Sequence, residues 1–548
     1  MILVLVEVVR STKNVVARNK LTISELKPWI AAVFSGVALF ASFFPLNWGE
    51  VAWFAFIPLT IALYFTCTVK RAMQLCYVAG AVFWSGSIFY VSNVTWFGYL
   101  LLAAYLAVYW IPYGVFVWWW FQSRSVTVRK VNLVFMIIGS VMWVGSEYLR
   151  NTLFTGFPMS NLAVSQHENV GIIQVADLAG EYLISFLVMM MNLGIGVTIL
   201  RYMVLDGKKK AWPHPEVLFA IALVALSFWY SVTRYGQVSG EEGRELVVSA
   251  VQPNIPQYVK WDDQFMDHIY RTVYKWTDVA SANTNVNLIV WPESAIPHYL
   301  PERPAYSFVN EVVDKGVPLL AGVMDFRSEA HSPVPLFYNS SVLFDGSMES
   351  PQRYDKRHLV LMGEYVPLQR FFPRWLNKIS PIPESFSAGE ESTVFKLKDG
   401  TPFSVLICFE DMMPGLARES VRNGARMLVN QTNDGWFDPY WANRQRVAQC
   451  VFRCIENRVP AVRAANTGIT CSIDRYGRVN IPLDPIIEGL ATMIVHVPEE
   501  TYQPTFYTRR GDLLGVATAT CVVLFLIFVG WSGRLSRQRE DSDSPVEQ

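Results

Sequence analysis

FSVLICFE, residues 403–410, runs apolar at four of its first five positions and then turns to Cys408, an aromatic residue and an acid. A strand that is apolar without alternation is one buried on both faces, as in layered α/β folds. The same signature recurs in ELVVSAVQ (245–252), NLIVWPE (287–293), VPLLAGVMD (317–325), SSVLFDG (340–346) and RMLVNQTND (426–434). Between these runs the residues at 262–282, 304–315, 411–423 and 441–457 carry helical periodicity. The pattern predicts an α/β sandwich and excludes a β-barrel for this part of the chain.

The rest of the chain is different in kind. Of 548 residues, 52% are hydrophobic and 17% charged, too apolar for one ordinary soluble domain. A bilayer core of about 30 Å needs roughly 20 apolar residues per helix. Runs of that kind lie near 29–46, 51–69, 72–92, 97–121, 131–149, 180–203 and 216–233, and an eighth, LLGVATATCVVLFLIFVGW, occupies 513–531. The α/β region is therefore bracketed by membrane helices. The formal net charge is +0, which gives no global field for nucleic acid. The seven cysteines form no disulfide framework, and Met1–Val9, interrupted by Glu7, does not read as a removable signal peptide.

Lys and Arg are retained on the cytoplasmic side of a membrane, and here they fall in alternate loops. Arg10, Lys13, Arg18, Lys20 and Lys27 precede the first run; Lys70 and Arg71, then Arg124, Arg129 and Lys130, then Arg201 and Lys208–Lys210 continue the bias. Arg534, Arg537 and Arg539 follow the last run. With both ends inside, the region between the seventh and eighth runs faces the periplasm or exterior. The expected organisation is a cytoplasmic segment 1–28, a membrane domain of seven helices over 29–233, an extramembrane domain 234–512, a final span 513–531 and a disordered cytoplasmic tail 532–548. Trp118–Trp120 is expected to form an interfacial belt. Glu147 with Arg150, and Glu181, read as interfacial pairs, and Cys450 with Cys454 reads as core packing.

Candidate chemistry sits at strand ends, where reacting groups converge in layered α/β folds. Glu293 ends NLIVWPE, Cys408 ends FSVLIC, and Lys356 follows a strand and turn in SPQRYDKRH. Taken singly, a Cys in an apolar strand is usually inert, and a lone Lys or Glu is usually a surface charge. Together with WPE (291–293), YDKRHLVLMGEYVP (354–367), ICFED (407–411) and NDGWF (433–437), they resemble the nitrilase superfamily, which carries a Glu–Lys–Cys triad in this chain order. The flanking helices, VQPNIPQYVKW (251–261) and RAANTGIT (463–470), narrow the resemblance to its membrane-embedded branch, the apolipoprotein N-acyltransferase family.

That resemblance implies an αββα catalytic domain beside a helical membrane bundle of about eight spans, in the bacterial inner membrane with the catalytic domain periplasmic. It implies a ping-pong transfer in which a glycerophospholipid donates an acyl chain to Cys408 and the α-amine of a lipoprotein's diacylglyceryl-cysteine accepts it. Glu293 would be the general base, and Lys356 would stabilise the oxyanion together with the backbone N–H of Phe409. Glu364 would hold the ammonium. Phe409 stands where the family often has Tyr. Glu410 is either part of this machinery or a partner for a nearby cation, and Trp261 either contacts substrate or packs in the core. The GEYVP loop, 363–367, is expected to gate lipid access. No cofactor or metal is required. Two alternatives share much of the pattern: a membrane-tethered amidase in which water resolves the thioester, and a transporter with an inactive nitrilase-like domain, against which the spans show few mid-membrane charges and no internal repeat.

Overall fold

The computed structural model describes residues 26–205, 214–239, 243–328, 335–345, 351–361, 363–365, 385–436, 441–499 and 502–542. The basic residues before Leu26, Lys208–Lys210, Val366, Pro367 and Phe437 lie outside them, as do the side chains of Arg534, Arg537 and Arg539. Two compact units emerge: 1–166 with 181–229 and 512–548, and 167–180 with 230–511. Residues 167–180, expected within the membrane domain, thus belong to the second unit.

The first unit is helical. Among the described residues five helices are long and apolar enough to cross a membrane: Trp96–Ser123, Arg129–Thr152, Glu181–Val204, Pro215–Gln237, which runs on past residue 229, where this unit ends, and Leu513–Ser532. The first two expected spans are shorter pieces, Lys27–Ala41 and Gly49–Tyr64. Pro45, which has no N–H to donate, and the left-handed Asn47 (φ 56°) lie in the break between them. The third, Val69–Ser87, opens on Lys70 and Arg71. The last helix continues to Ser542, so 532–542 is helical where a disordered tail is expected. Arg, Gln and Glu there are good helix formers, and no proline interrupts them.

Aromatic residues fill this unit's core. Phe56 lies 4.4 Å from Trp143 and 5.3 Å from Trp110, ring centre to ring centre. Trp120 is buried, so the expected belt over 118–120 is only partly peripheral; Arg124 covers its ring at 4.1 Å. Glu147, Arg150 and Glu181 are buried as well. Their connections run through the 157–162 loop. Glu147 accepts from Leu162 N at 2.7 Å, Arg150 donates to Asn161, and Asn161 donates to Glu181 at 2.6 Å. A buried charge needs such partners, and here they pin a loop onto two helices.

The second unit holds two six-stranded sheets. The first runs in the order β12-β1-β2-β3-β4-β5 and the second β11-β10-β9-β8-β7-β6. In chain order the strands are β1 Gly243–Gln252, β2 Leu288–Val290, β3 Leu319–Arg327, β4 Leu336–Phe344, β5 Gln352–Asp355, β6 Phe395–Lys396, β7 Pro402–Ile407, β8 Leu428–Thr432, β9 Ala461–Ala465, β10 Cys471–Ile473, β11 Val479–Asn480 and β12 Gly489–Pro498. One apolar core lies between the sheets, joining Val248, Val290 and Leu343 to Val405, Ile407 and Val429. A second core packs the other face of the first sheet against two helices, α1 (Met266–Ser281) and α2 (Arg303–Val313). Two more, α3 (Pro414–Arg422) and α4 (Trp441–Asn457), pack with the second sheet. The layers read αββα.

Each predicted strand and helix of this region has an observed counterpart, while β5, β6, β9, β10, β11 and β12 have no predicted one. β12 alternates buried and exposed side chains along a sheet edge, so its sequence lacks the continuous apolar run. Strands β1, β2 and β3 are parallel neighbours, as are β7, β8 and β9. Parallel neighbours end together, which places the residues after β7 and β8 on one rim, and Asn433 N donating to Glu293 brings the residues after β2 to it.

Candidate active site

Glu293 follows β2 by three residues, on a loop that crosses β3 closely. A Cβ added to Gly322 of β3 would lie 2.1 Å from Pro292 O, so only glycine admits this crossing. Gln431 of β8 donates to Trp291 O at 2.7 Å and to Leu320 O at 3.2 Å, fastening the loop to both sheets. The Glu293 carboxylate is nearly buried. Its Oε1 accepts from Asn339 Nδ2 at 2.7 Å and its Oε2 from Asn433 N at 2.9 Å.

Lys356 follows β5. Its N donates to Asn339 O at 2.9 Å, and its carbonyl accepts from Gly389 N at 2.8 Å, at a contact where a Cβ on Gly389 would meet Asp355 O at 2.4 Å. Only 1% exposed, its ammonium lies 2.8 Å from Glu364 Oε1 and 3.5 Å from Glu293 Oε1. Burial alone would depress this amine, but Glu364, then Glu293 and Cys408, reverse the effect and raise it. The two carboxylates thus favour its ammonium form. Glu364 reaches it from a tight turn in which Glu364 N donates to Val360 O at 2.8 Å, and its Oε2 accepts from Val360 N at 2.9 Å.

Cys408 begins the turn after β7 with φ 53°, a left-handed conformation that costs a non-glycine residue about 1–2 kcal/mol. It is part-exposed. Burial, and after it the Glu293 carboxylate, push the thiol up, while Arg446 and Lys356 pull against them without cancelling the rise. Arg446 of α4 donates from Nη2 to Sγ at 3.5 Å.

Glu293, Lys356 and Glu364 thus form one hydrogen-bonded cluster, with Cys408 in its electrostatic reach. The other three expected residues stand around it. Among the described residues Glu410 forms no ion pair. Its carboxylate accepts from Ile407 N and Arg357 N at 2.7 Å, His358 N at 2.9 Å and Tyr354 Oη at 2.9 Å. It therefore ties the turn at Cys408 to the segment after Lys356. The Phe409 ring stacks on His358, 6.0 Å between centres. Trp261 is 47% exposed and so not core; beside it the buried Lys260 donates to Glu293 O at 3.3 Å. Burial, opposed by Glu293, brings the Lys260 amine down to about 8.

Asn339, Asn433, Lys260 and Arg446 were not anticipated from sequence. Two of them could have been found: Lys260 and Asn433 fall inside segments already singled out for their resemblance. Asn339 sits in an ordinary strand, and Arg446 in a helix whose many polar residues read as solvent-facing.

Glu410→Gln is expected to show whether the clamp orders the site. An amide offers one acceptor oxygen and turns an NH2 group toward backbone donors, leaving buried N–H groups unmet at about 1–3 kcal/mol. Thermal unfolding of the purified variant should move down by that amount and turnover should fall with it. An unchanged midpoint and rate would mean the turn holds itself.

Among known proteins, residues 35–194 match the family described as Apolipoprotein N-acyltransferase N-terminal domain, and residues 247–507 match Carbon-nitrogen hydrolase. The apolipoprotein N-acyltransferase of Geobacter metallireducens is 33% identical over 520 residues, 92% of this chain and 95% of its own. That of Brucella melitensis is 29% identical over 472 residues, 83% of this chain and 86% of its own. That of Chlorobaculum tepidum is 29% identical over 532 residues, 91% of this chain and 96% of its own. A nitrilase-like layered unit, an apolar helical unit and similarity along nearly the whole length lead to one conclusion: the chain belongs to the apolipoprotein N-acyltransferase family.

Proposed function

We propose that the enzyme transfers an acyl chain from a membrane glycerophospholipid through a thioester on Cys408 to the N-terminal α-amine of a diacylglyceryl-cysteine lipoprotein. The observation that carries this reading is the Lys356 ammonium held between Glu364 and Glu293 beside a part-exposed cysteine in a left-handed turn. Glu293 takes the thiol proton as Sγ bonds to the ester carbonyl carbon. The C–O bond then breaks and the lysophospholipid oxygen leaves with that proton. In the second half the amine nitrogen bonds to the thioester carbon, its proton passes to Glu293, and the C–S bond breaks as the departing sulfur takes that proton back, regenerating the Cys408 thiol and the Glu293 carboxylate. Lys356 and the Phe409 N–H stabilise the oxyanion of each tetrahedral intermediate, worth roughly 3 kcal/mol per donor.

An acyl donor with two long chains leaves a bilayer only at large hydrophobic cost. An enzyme that meets it there needs membrane anchorage, and the apolar helices supply it. In our reading about eight helical segments span the inner membrane, with 29–233 and 513–531 as membrane parts and the intervening catalytic domain on the periplasmic side, as the placement of basic residues favours. Trp261, exposed next to Lys260 and Glu293, is the side chain we assign to substrate contact.

The test is intact-mass analysis of protein incubated with a phospholipid of defined acyl composition. A mass increase of one acyl chain is expected, located on Cys408 and discharged to a diacylglyceryl-peptide amine. Release chiefly as free fatty acid would instead identify a hydrolase, and no adduct on Cys408 would sink the thioester.

A further inference from the structure

Behind Cys408 lies a buried ionic network. Arg446 donates from Nη1 to Asp434; Arg463 donates from Nη2 to the other oxygen of Asp434 at 2.8 Å and from Nη1 to Asp411 and, at 2.6 Å, to Asn430. Thr432 Oγ1 adds a bond to Asp434 at 2.9 Å. Arg446 is 3% exposed and the others less. The two cations that act on the sulfur are placed differently. Lys356 stands between two carboxylates, which offset much of its field, whereas Asp434 stands between two guanidinium groups. Arg446 meanwhile spreads its fork, one nitrogen on Asp434 and the other 3.5 Å from Sγ. A lysine has no second arm with which to do this.

We propose that Arg446 is a further catalytic residue, whose guanidinium hydrogen-bonds the Cys408 thiolate, as nucleophile when the thioester forms and as leaving group when the amine displaces it. Asp434 is its positioning residue, holding the fork so that Nη2 faces the sulfur. The role rests on reading Cys408 as the nucleophile. A thiol that burial and Glu293 push up gains most from a charge that does not itself titrate, and a guanidinium is such a charge. It acts without moving a proton: Glu293 still takes the thiol proton, and Arg446 lowers the energy of the sulfur anion that remains. The charged groups facing Cys408 are Glu293 after β2, Lys356 after β5, Asp434 after β8 and Arg446 on α4, with Asp411 and Arg463 behind them. Both Arg446 and Lys356 favour the thiolate, and of the two it is Arg446 for which a hydrogen bond to Sγ is seen.

The experiment follows iodoacetamide alkylation of Cys408 in the full-length, detergent-purified protein, by mass of the Cys408 peptide, between about pH 6 and pH 10. R446Q should move the alkylation profile up by about one pH unit, about tenfold slower at neutral pH, while the limiting rate at high pH is retained. R446K, which keeps a charge for Asp434 but not the fork, should fall between R446Q and wild type. A merely structural Arg446 would leave the profile in place, and an R446Q profile superimposed on wild type overturns the proposal. If R446Q does not elute as folded protein, R446K decides: an upward shift supports the role and a coincident profile overturns it. Thioester formation in the same wild-type sample tests the nucleophile separately. Its absence sinks that reading, whereas a normal thioester with an unshifted R446Q profile removes only Arg446.

Discussion

Cys408→Ala and Cys408→Ser are each expected to lower acyl transfer by more than about a thousandfold while leaving the protein inserted and folded. Alanine removes the only atom at this position able to form the acyl-enzyme. Serine keeps an oxygen, but its hydroxyl is far harder to deprotonate and would form an ester, from which an amine displaces the acyl group less readily than from a thioester. Neither change should cost much stability. The side chain is part-exposed, and both replacements must adopt the same left-handed backbone that Cys408 already tolerates. The measurement pairs transfer to a diacylglyceryl peptide with size-exclusion profile and thermal midpoint. Substantial transfer by a well-folded alanine variant would remove Cys408 from the mechanism.

The architecture around Cys408 was legible in sequence wherever burial leaves a continuous apolar run. β2, β7 and β8 are such runs, so their ends, and hence Glu293 and Cys408, could be placed before any coordinates. Lys356 was less visible because β5 is short and polar: the sequence set it only after a strand and turn, and its role came from resemblance. What stayed hidden are contacts that join distant segments. Asn339 of β4 donates to Glu293, and no local pattern couples positions 339 and 293. Arg446 lies in WANRQRVAQ, where a polar face normally means solvent, yet both it and Arg463 are buried because Asp434 and Asp411 meet them inside the fold. Glu410 illustrates the same limit: a carboxylate that accepts main-chain N–H groups leaves no charge-pairing signature in sequence. In the helical unit, hydropathy located the apolar segments and the break between 46 and 51, but it carried the first helix past Ala41 through Pro45, since window averages ignore single residues that end a helix.

Lys356→Ala and Lys356→Arg are expected to be impaired alike, each by about a hundredfold or more in turnover. The alanine variant loses the cation and leaves Glu364 and Glu293 close together without it. Removing one partner of a buried pair costs about 3–5 kcal/mol, so the Glu293 side chain is also expected to move out of place, which disables it as a base. The arginine variant keeps the charge, and a role that asked only for charge would be rescued. Two features argue against rescue. The pocket leaves the ammonium 1% exposed with Glu364 at 2.8 Å, so a larger planar group must displace Glu364, Glu293 or Asn339 to enter. A guanidinium that pairs with Glu364 through its fork would also direct its donors at the carboxylate plane, whereas the oxyanion needs a compact charge reachable from several directions. Thioester formation and amine acylation measured separately should both fall, because the oxyanion forms in each half-reaction. Near-normal turnover in the folded arginine variant would contradict this assignment, and a defect confined to amine acylation would place Lys356 on the acceptor rather than on the oxyanion.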